Sequence, residues 1–201
     1  RVVTNGMSQY SRNERNANAG IVVGIEPTDY PNGITDAADW QAAFGEEDGL
    51  RYALQAAAMA QQQPPQYHPL AGIVLQRQLE ARAYVLGGSN YEAPGQLVGD
   101  FIAGKPSKDF GSVLPSYKPG VHLGDLHAAL PAYAIDAMRE ALPAFGRKIK
   151  GFDMSDAVRT GVETRTSSPL RMPRGEDLQS LNVRGLYPAG EGAGYAGGIL
   201  S

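Results

Sequence analysis

Val183-Arg184-Gly185-Leu186-Tyr187-Pro188-Ala189-Gly190-Glu191-Gly192-Ala193-Gly194-Tyr195-Ala196-Gly197-Gly198-Ile199-Leu200 is the stretch on which the fold of this 201-residue chain turns. Its apolar start predicts a short buried strand, its glycines a turn, and its last residues the opening of a helix. Ala189-Gly190 removes side chains where backbone must come close to something else. Glu191 sets one carboxylate at the strand's end. Gly197-Gly198 opens a helix whose first N–H groups lack intrahelical partners and suit an electron-rich group. The same pattern also fits a glycine-rich loop in any α/β protein.

Working outward, the length allows one sizeable domain or two small ones. Arg1 begins inside a strand-like run and Ser201 falls in the first turn of a helix, so the sequence reads as a piece of a longer protein. A net charge of −3 gives no general attraction for nucleic acid or anionic membrane. No signal peptide and no apolar run of membrane-spanning length is present. The expectation is therefore a soluble, cytoplasmic protein without nucleic-acid or membrane partners. With no Cys there can be no thiolate site in these residues, and three scattered His (His68, His122, His127) make no zinc site, so no metal is expected.

Val2-Val3-Thr4 and Ile21 to Ile25 predict two strands around a polar connection rich in Asn and Arg. Asp36 should cap a helix through Phe44, and a second should run from about Gly49 to Gln63, with Leu50, Leu54 and Ala57 facing one way. This Ala/Gln-rich pair is expected to be peripheral. His68-Pro69 opens a helix in which Leu75, Leu79, Arg82 and Leu86 share a stripe, and Gly87-Gly88 stops it. Leu97 to Phe101 predicts a short helix or strand, and Gly104 to Gly120 a long loop. Asp125 caps the next helix and Pro131 restarts it. Ile135, Met138, Leu142, Phe145 and Ile149 form its apolar stripe, with Pro143 expected to kink or break it. Gly151 to Asp156 is a capped turn into a short helical segment, and Val162 to Thr166 alternates as a strand does.

Several segments match a known pattern in order: Asn5-Gly6-Met7-Ser8, Asn16-Ala17-Asn18, His68-Pro69-Leu70-Ala71-Gly72, Tyr91-Glu92-Ala93-Pro94, Asp100-Phe101, Pro115 to Gly120, Glu163 to Arg171 and Gly185 to Gly192. The most specific are Glu163-Thr164-Arg165-Thr166-Ser167-Ser168-Pro169 and Gly190-Glu191-Gly192-Ala193-Gly194-Tyr195-Ala196-Gly197-Gly198. Together they resemble the C-terminal half of bacterial FAD-dependent dehydrogenases, the NAD/FAD-utilizing dehydrogenase family, over nearly the whole chain. Relative to that family, Asn32 to Gln66 looks like an insertion. The family's N-terminal Gly-x-Gly-x-x-Gly fingerprint, which cradles the FAD pyrophosphate, is absent from these residues.

The resemblance implies a flavin site closed by Gly190, Glu191, Gly192, Gly197, Gly198 and Ile199. Glu191 would hydrogen-bond the ribityl chain, and the amides near Gly197, Gly198 and Ile199 would face the flavin pyrimidine edge. Glu163, Arg165, Ser167, Ser168 and Arg171 become candidates for a polar substrate site, the two arginines suiting a carboxylate or phosphate. Glu163 and Arg165 equally suit a structural cross-strand pair. The resemblance implies an oxidoreductase with FAD, an unidentified small-molecule substrate and NAD(P)H as a candidate donor, the piece alone being inactive. A non-catalytic ligand-binding or interaction module with a glycine-rich tail is the alternative. An acyl hydrolase is disfavoured by the lack of a Gly-x-Ser-x-Gly elbow.

The expected fold is α+β, with strands from both ends pairing around an inserted helical section and a last strand belonging to a Rossmann-type FAD domain. The expected divisions are a β-rich substrate-side domain of residues 1–31 and 158–182, a helical insert of residues 32–157, and residues 183–201 as the returning strand and helix start.

Overall fold

A computed structural model describes residues 2–4, 11, 13–32, 36–164, 168 and 170–194, with backbone alone at 2–4, 31 and 32. The fold is mixed α and β. The chain divides into two compact units, residues 1–25 with 78–164 and residues 26–77 with 165–201.

In the first unit, β1 (Val2–Thr4) pairs antiparallel with β2 (Ile21–Val23), Val3 opposite Val22. A second sheet has β3 (Ala93–Leu97) at its centre, between β4 (Val121–Leu123) and β5 (Val158–Thr160). β3 runs parallel to β4 and antiparallel to β5. Among the described pairings none joins β1 or β2 to residues 158–182. The physical reason is β3: it forms at Ala93–Leu97, just before the stretch expected to be a short helix or strand, and it takes β5 as its neighbour. Gly95 makes the close pairing with β4 possible, because a Cβ there would overlap Val121 Cγ1.

The chain passes directly from β3 into α4 (Val98–Ala103), after α3 (Ala71–Leu86). Leu79 and Ala83 of α3 are buried, whereas Arg82 is exposed. Gly88, at φ +88°, ends the helix where glycine alone turns easily. Asp125 caps a 3-10 turn at Leu126–Ala129 by accepting a bond from His127 N at 2.9 Å. Pro131 then precedes α5 (Ala132–Lys148), which continues through Pro143 rather than breaking there. One missing N–H donor is offset by the packing of Ile135, Met138 and Leu142, all buried. Phe145 and Ile149, expected on the same stripe, are exposed. After Gly151 the chain makes turns and then β5, where a short helix was expected.

Around β3 the core is partly polar. Gln96 donates to Lys105 O at 2.7 Å and accepts from Leu126 N at 3.0 Å, so its buried amide is satisfied. Ser107 donates to Asp100 Oδ2 at 2.7 Å and accepts from Leu97 N at 2.8 Å, tying the long loop to β3. That serine bond, with Lys105 Nζ 3.2 Å from the other oxygen, holds the Asp100 carboxyl below its usual range.

Opposite Gln96 on β5 stands Arg159, only 5% exposed. Its guanidinium lies 3.8 Å from the Phe101 ring centroid, and Nη2 donates to Met138 Sδ at 2.7 Å. Nε and Nη1 are buried with no hydrogen-bond partner among the described residues. Burial pushes its pKa down to about 10, so the group stays charged at neutral pH. A buried cation without a carboxylate is a net cost that the aromatic face offsets only in part. Arg159→Met is therefore expected to hold or raise the denaturation midpoint, by up to about 1–4 kcal/mol in stability. A loss of more than about 2 kcal/mol in urea denaturation would show that the charge contributes to the fold.

In the second unit, Asp36 caps α1 (Ala37–Phe44) by accepting from Ala38 N at 3.1 Å, as its side chain predicts. Gly45, at φ +85°, separates α1 from α2 (Glu46–Ala60). The hairpin closes because Gly49 has no side chain: a Cβ there would lie 2.6 Å from Trp40 O. Leu50 and Leu54, the face favoured by periodicity, are consequently exposed. Trp40, expected to be peripheral, is 3% exposed and packs edge-on against His68, centroids 5.1 Å apart. His68 accepts from Leu70 N at 3.2 Å through Nδ1, and its Nε2 faces Gln55 Oε1 at 3.2 Å. With Nδ1 accepting, the proton sits on Nε2, and burial pushes the imidazole pKa down, favouring that neutral form. Arg77 lies over Phe44, donates to Ala43 O, and so anchors the end of α1.

Candidate functional site

Residues 170–194 of the second unit bring two sequence-predicted segments together. Met172 N donates to Gly192 O at 2.7 Å, and Arg174 Nη1 donates to Pro188 O at 2.8 Å. The extended run after Leu170 is thus clipped at two points to the glycine-rich turn. Between them the chain folds back on itself: Arg174 bridges Ser180, Leu181 N bonds Pro173 O, and Ser180 N bonds Leu186 O.

The turn is built by glycine. Gly190 has φ +73° and ψ −152°, and Gly194 has φ +81°, both costly for any residue with a Cβ. Glu191–Ala193 is one 3-10 turn, closed by Ala193 N to Gly190 O at 3.2 Å and Gly194 N to Glu191 O at 2.8 Å. Gly192 leaves room for Met172, whose Cε would lie 3.2 Å from an added Cβ. Glu191 is half-buried and makes no ion pair with any described residue.

Arg171 lies across Gly194: an added Cβ would stand 2.8 Å from its Nε and 3.2 Å from its Cζ. The residue is exposed and makes no ion pair with Glu191 or any other described group. A cation and a carboxylate therefore flank one tight turn without neutralising each other.

The other candidates fall elsewhere. Ser168 accepts from Leu170 N at 3.2 Å and donates to Leu170 O at 2.8 Å, a local turn that occupies its hydroxyl. Glu163 is partly buried next to Thr164, which belongs to the first unit and donates to Glu80 Oε1 at 2.6 Å. Arg165, Ser167, Gly197, Gly198 and Ile199 lie outside the described residues. Residues 183–188, expected as a buried strand, carry no strand: Gly185 at φ +81° turns the chain. Val183, Leu186 and Tyr187 are exposed there, and Leu178 and Leu181 are exposed just before. A strand needs a neighbour to satisfy its backbone groups, and no described strand runs beside this stretch.

Among the described residues no three His, Asp or Glu side chains gather as a metal site, and no helix is long and apolar enough to cross a membrane. Sequence reasoning missed one feature of the site, the seating of Arg171 on Gly194. Its only signal was the unusual density of glycines after Glu191.

The chain belongs to the family described as FAD-dependent protein, C-terminal domain-like, which matches residues 1–66 and 52–166. It is also 41% identical, over 201 residues, to a protein of Clostridium beijerinckii (strain ATCC 51743 / NCIMB 8052) described as an uncharacterized protein. That alignment takes in 100% of this chain and 31% of the relative, so the chain spans about a third of the protein it matches.

Proposed function

We propose that the chain is the C-terminal part of a cytoplasmic flavin-dependent oxidoreductase of the dehydrogenase type, supplying the substrate-side domain and the closing half of an FAD site. The observation that carries this is the Gly190–Gly194 turn, with Glu191 at its start in no ion pair with a described residue. Its fit to a flavin is chemical. A carboxylate with free lone pairs accepts bonds from ribityl hydroxyls, and glycine on both sides lets a bulky cofactor approach the backbone.

FAD, when bound, would supply the hydride or electron chemistry. The protein's part is to hold and orient it. Glu191 would accept the ribityl hydroxyls, and Gly190 and Gly192 would leave space for them. The amides around Gly197, Gly198 and Ile199 would favour negative charge near the pyrimidine edge, an effect of roughly 0.3–2 kcal/mol at a helix start. Glu163, Arg165, Ser167 and Ser168 are proposed for the substrate side, with NAD(P)H as the candidate donor. The exposed Leu178, Leu181, Val183, Leu186 and Tyr187 support placement within a longer protein, because monomers rarely leave so many large apolar groups together in water.

Absorbance spectroscopy tests the proposal. The whole protein should carry a flavin spectrum that NADH or NADPH bleaches under anaerobic conditions, while the 201-residue chain by itself should retain little or none. A colourless whole protein that takes up no FAD on reconstitution would refute it.

A further inference from the structure

We infer that Arg171, seated on Gly194, is the receptor for an oxyanion, carboxylate or phosphate, of the ligand that occupies this turn. The inference deepens the flavin reading of the turn and rests on it for the identity of the two flavin probes only.

Three observations carry it. The guanidinium is exposed and has no anionic partner among the described residues, although a carboxylate, Glu191, stands on the same turn. It is also not consumed by the turn's own backbone: it makes no hydrogen bond with any described residue. Finally, it is positioned. Its Nε and Cζ lie only 2.8 and 3.2 Å from where a Cβ at 194 would be, so the head of the side chain rests on the bare backbone of Gly194 and an alanine there would push it aside. The backbone on both sides is fixed, by the Met172 N–Gly192 O bond and by the left-handed φ of Gly194. Arginine is the residue suited to such a place, because its fork stays protonated and matches the two oxygens of a carboxylate or phosphate. A ligand bearing hydroxyl donors for Glu191 and an oxyanion for Arg171 would satisfy both charges at once.

The oxyanion has two candidate sources, a phosphate of the cofactor or a carboxylate of the substrate, and the test separates them. Pyrophosphate, succinate, FAD and riboflavin are titrated by calorimetry into the whole protein stripped of flavin. The proteins compared are wild type, Arg171→Gln, Arg171→Lys, Gly194→Ala and Glu191→Ala, each checked for folding by circular dichroism. We expect at least one oxyanion probe to bind, with about tenfold or greater weakening in Arg171→Gln and partial recovery in Arg171→Lys. Gly194→Ala should mimic Arg171→Gln by displacing the side chain. Should Gly194→Ala not fold, the two Arg171 variants still decide the matter, since that side chain is exposed.

Loss with pyrophosphate and FAD, but not riboflavin, assigns the phosphate; loss with succinate assigns the carboxylate. Binding of both oxyanions that is equal in wild type and Arg171→Gln, or absent from both, overturns the inference. FAD that is lost from Glu191→Ala yet held fully by Arg171→Gln, with no oxyanion effect, leaves the flavin site standing and removes Arg171 from it. An Arg171-dependent oxyanion in a protein that binds no FAD does the reverse.

Discussion

Phe101→Ala is expected to cost about 3–5 kcal/mol of stability, the range for deleting a fully buried phenyl ring. The ring is 0% exposed, and two cations converge on it, Arg159 at 3.8 Å and Arg139 at 5.4 Å from its centroid. Its removal would leave a cavity and deprive the buried Arg159 guanidinium of an attractive face, so the upper half of that range is expected. Arg139 should be less affected, because its Nε also donates to Phe101 O at 2.8 Å, a backbone bond the alanine variant keeps. Urea denaturation of the chain checks this. A loss below about 1 kcal/mol would mean that the core around β3 collapses readily onto the vacated space. Combining the change with Arg159→Met should recover part of the loss, since the two positions are in contact and their effects should not add.

If Glu191 accepts from the ribityl chain as proposed, Glu191→Ala in the whole protein is expected to weaken FAD retention by about ten- to a hundredfold, the effect of losing a charge-assisted hydrogen bond of about 1.5–3 kcal/mol. Folding should be unaffected, because the side chain is only half-buried and makes no ion pair among the described residues. Flavin occupancy after desalting and melting temperature, measured on the same preparation, separate the two effects. Full occupancy with unchanged affinity would remove Glu191 from the cofactor site. A fall in melting temperature of the flavin-free protein would make it a structural residue.

What the sequence made legible were the signals that act locally. Asp36 and Asp125 cap where their side chains can reach a backbone N–H, and Gly87-Gly88 ends α3 by supplying a positive φ. The turn at Gly190 to Gly194 was legible for the same reason. Features that depend on what lies opposite were not. Periodicity favoured Leu50 and Leu54, but α2 packs through Gly49, whose missing side chain carries no hydropathy signal. Arg82 was placed on a buried stripe that in fact passes through Ala83, one residue along. A charged residue in mid-strand gives no hint of burial, so Arg159 went unseen although Met138, which it contacts, was placed on an apolar stripe. Arg171 was singled out for its chemistry, yet its place beside Gly194 comes from a fold-back that no sequence period encodes.

The two units also constrain how the molecule can be made. Each is assembled from two separate runs of sequence, residues 1–25 with 78–164 and residues 26–77 with 165–201. During synthesis the α1–α2 hairpin emerges before the second run of its unit, which cannot be completed until residues 165–201 have left the ribosome. The first unit must likewise wait for β5 before β3 has both its neighbours. Closing such long loops delays the reward for ordering the earlier segments and leaves partly built cores open for longer. Neither unit can then be obtained by a single cut of the chain. Expressing one alone would require joining its two runs with an engineered linker.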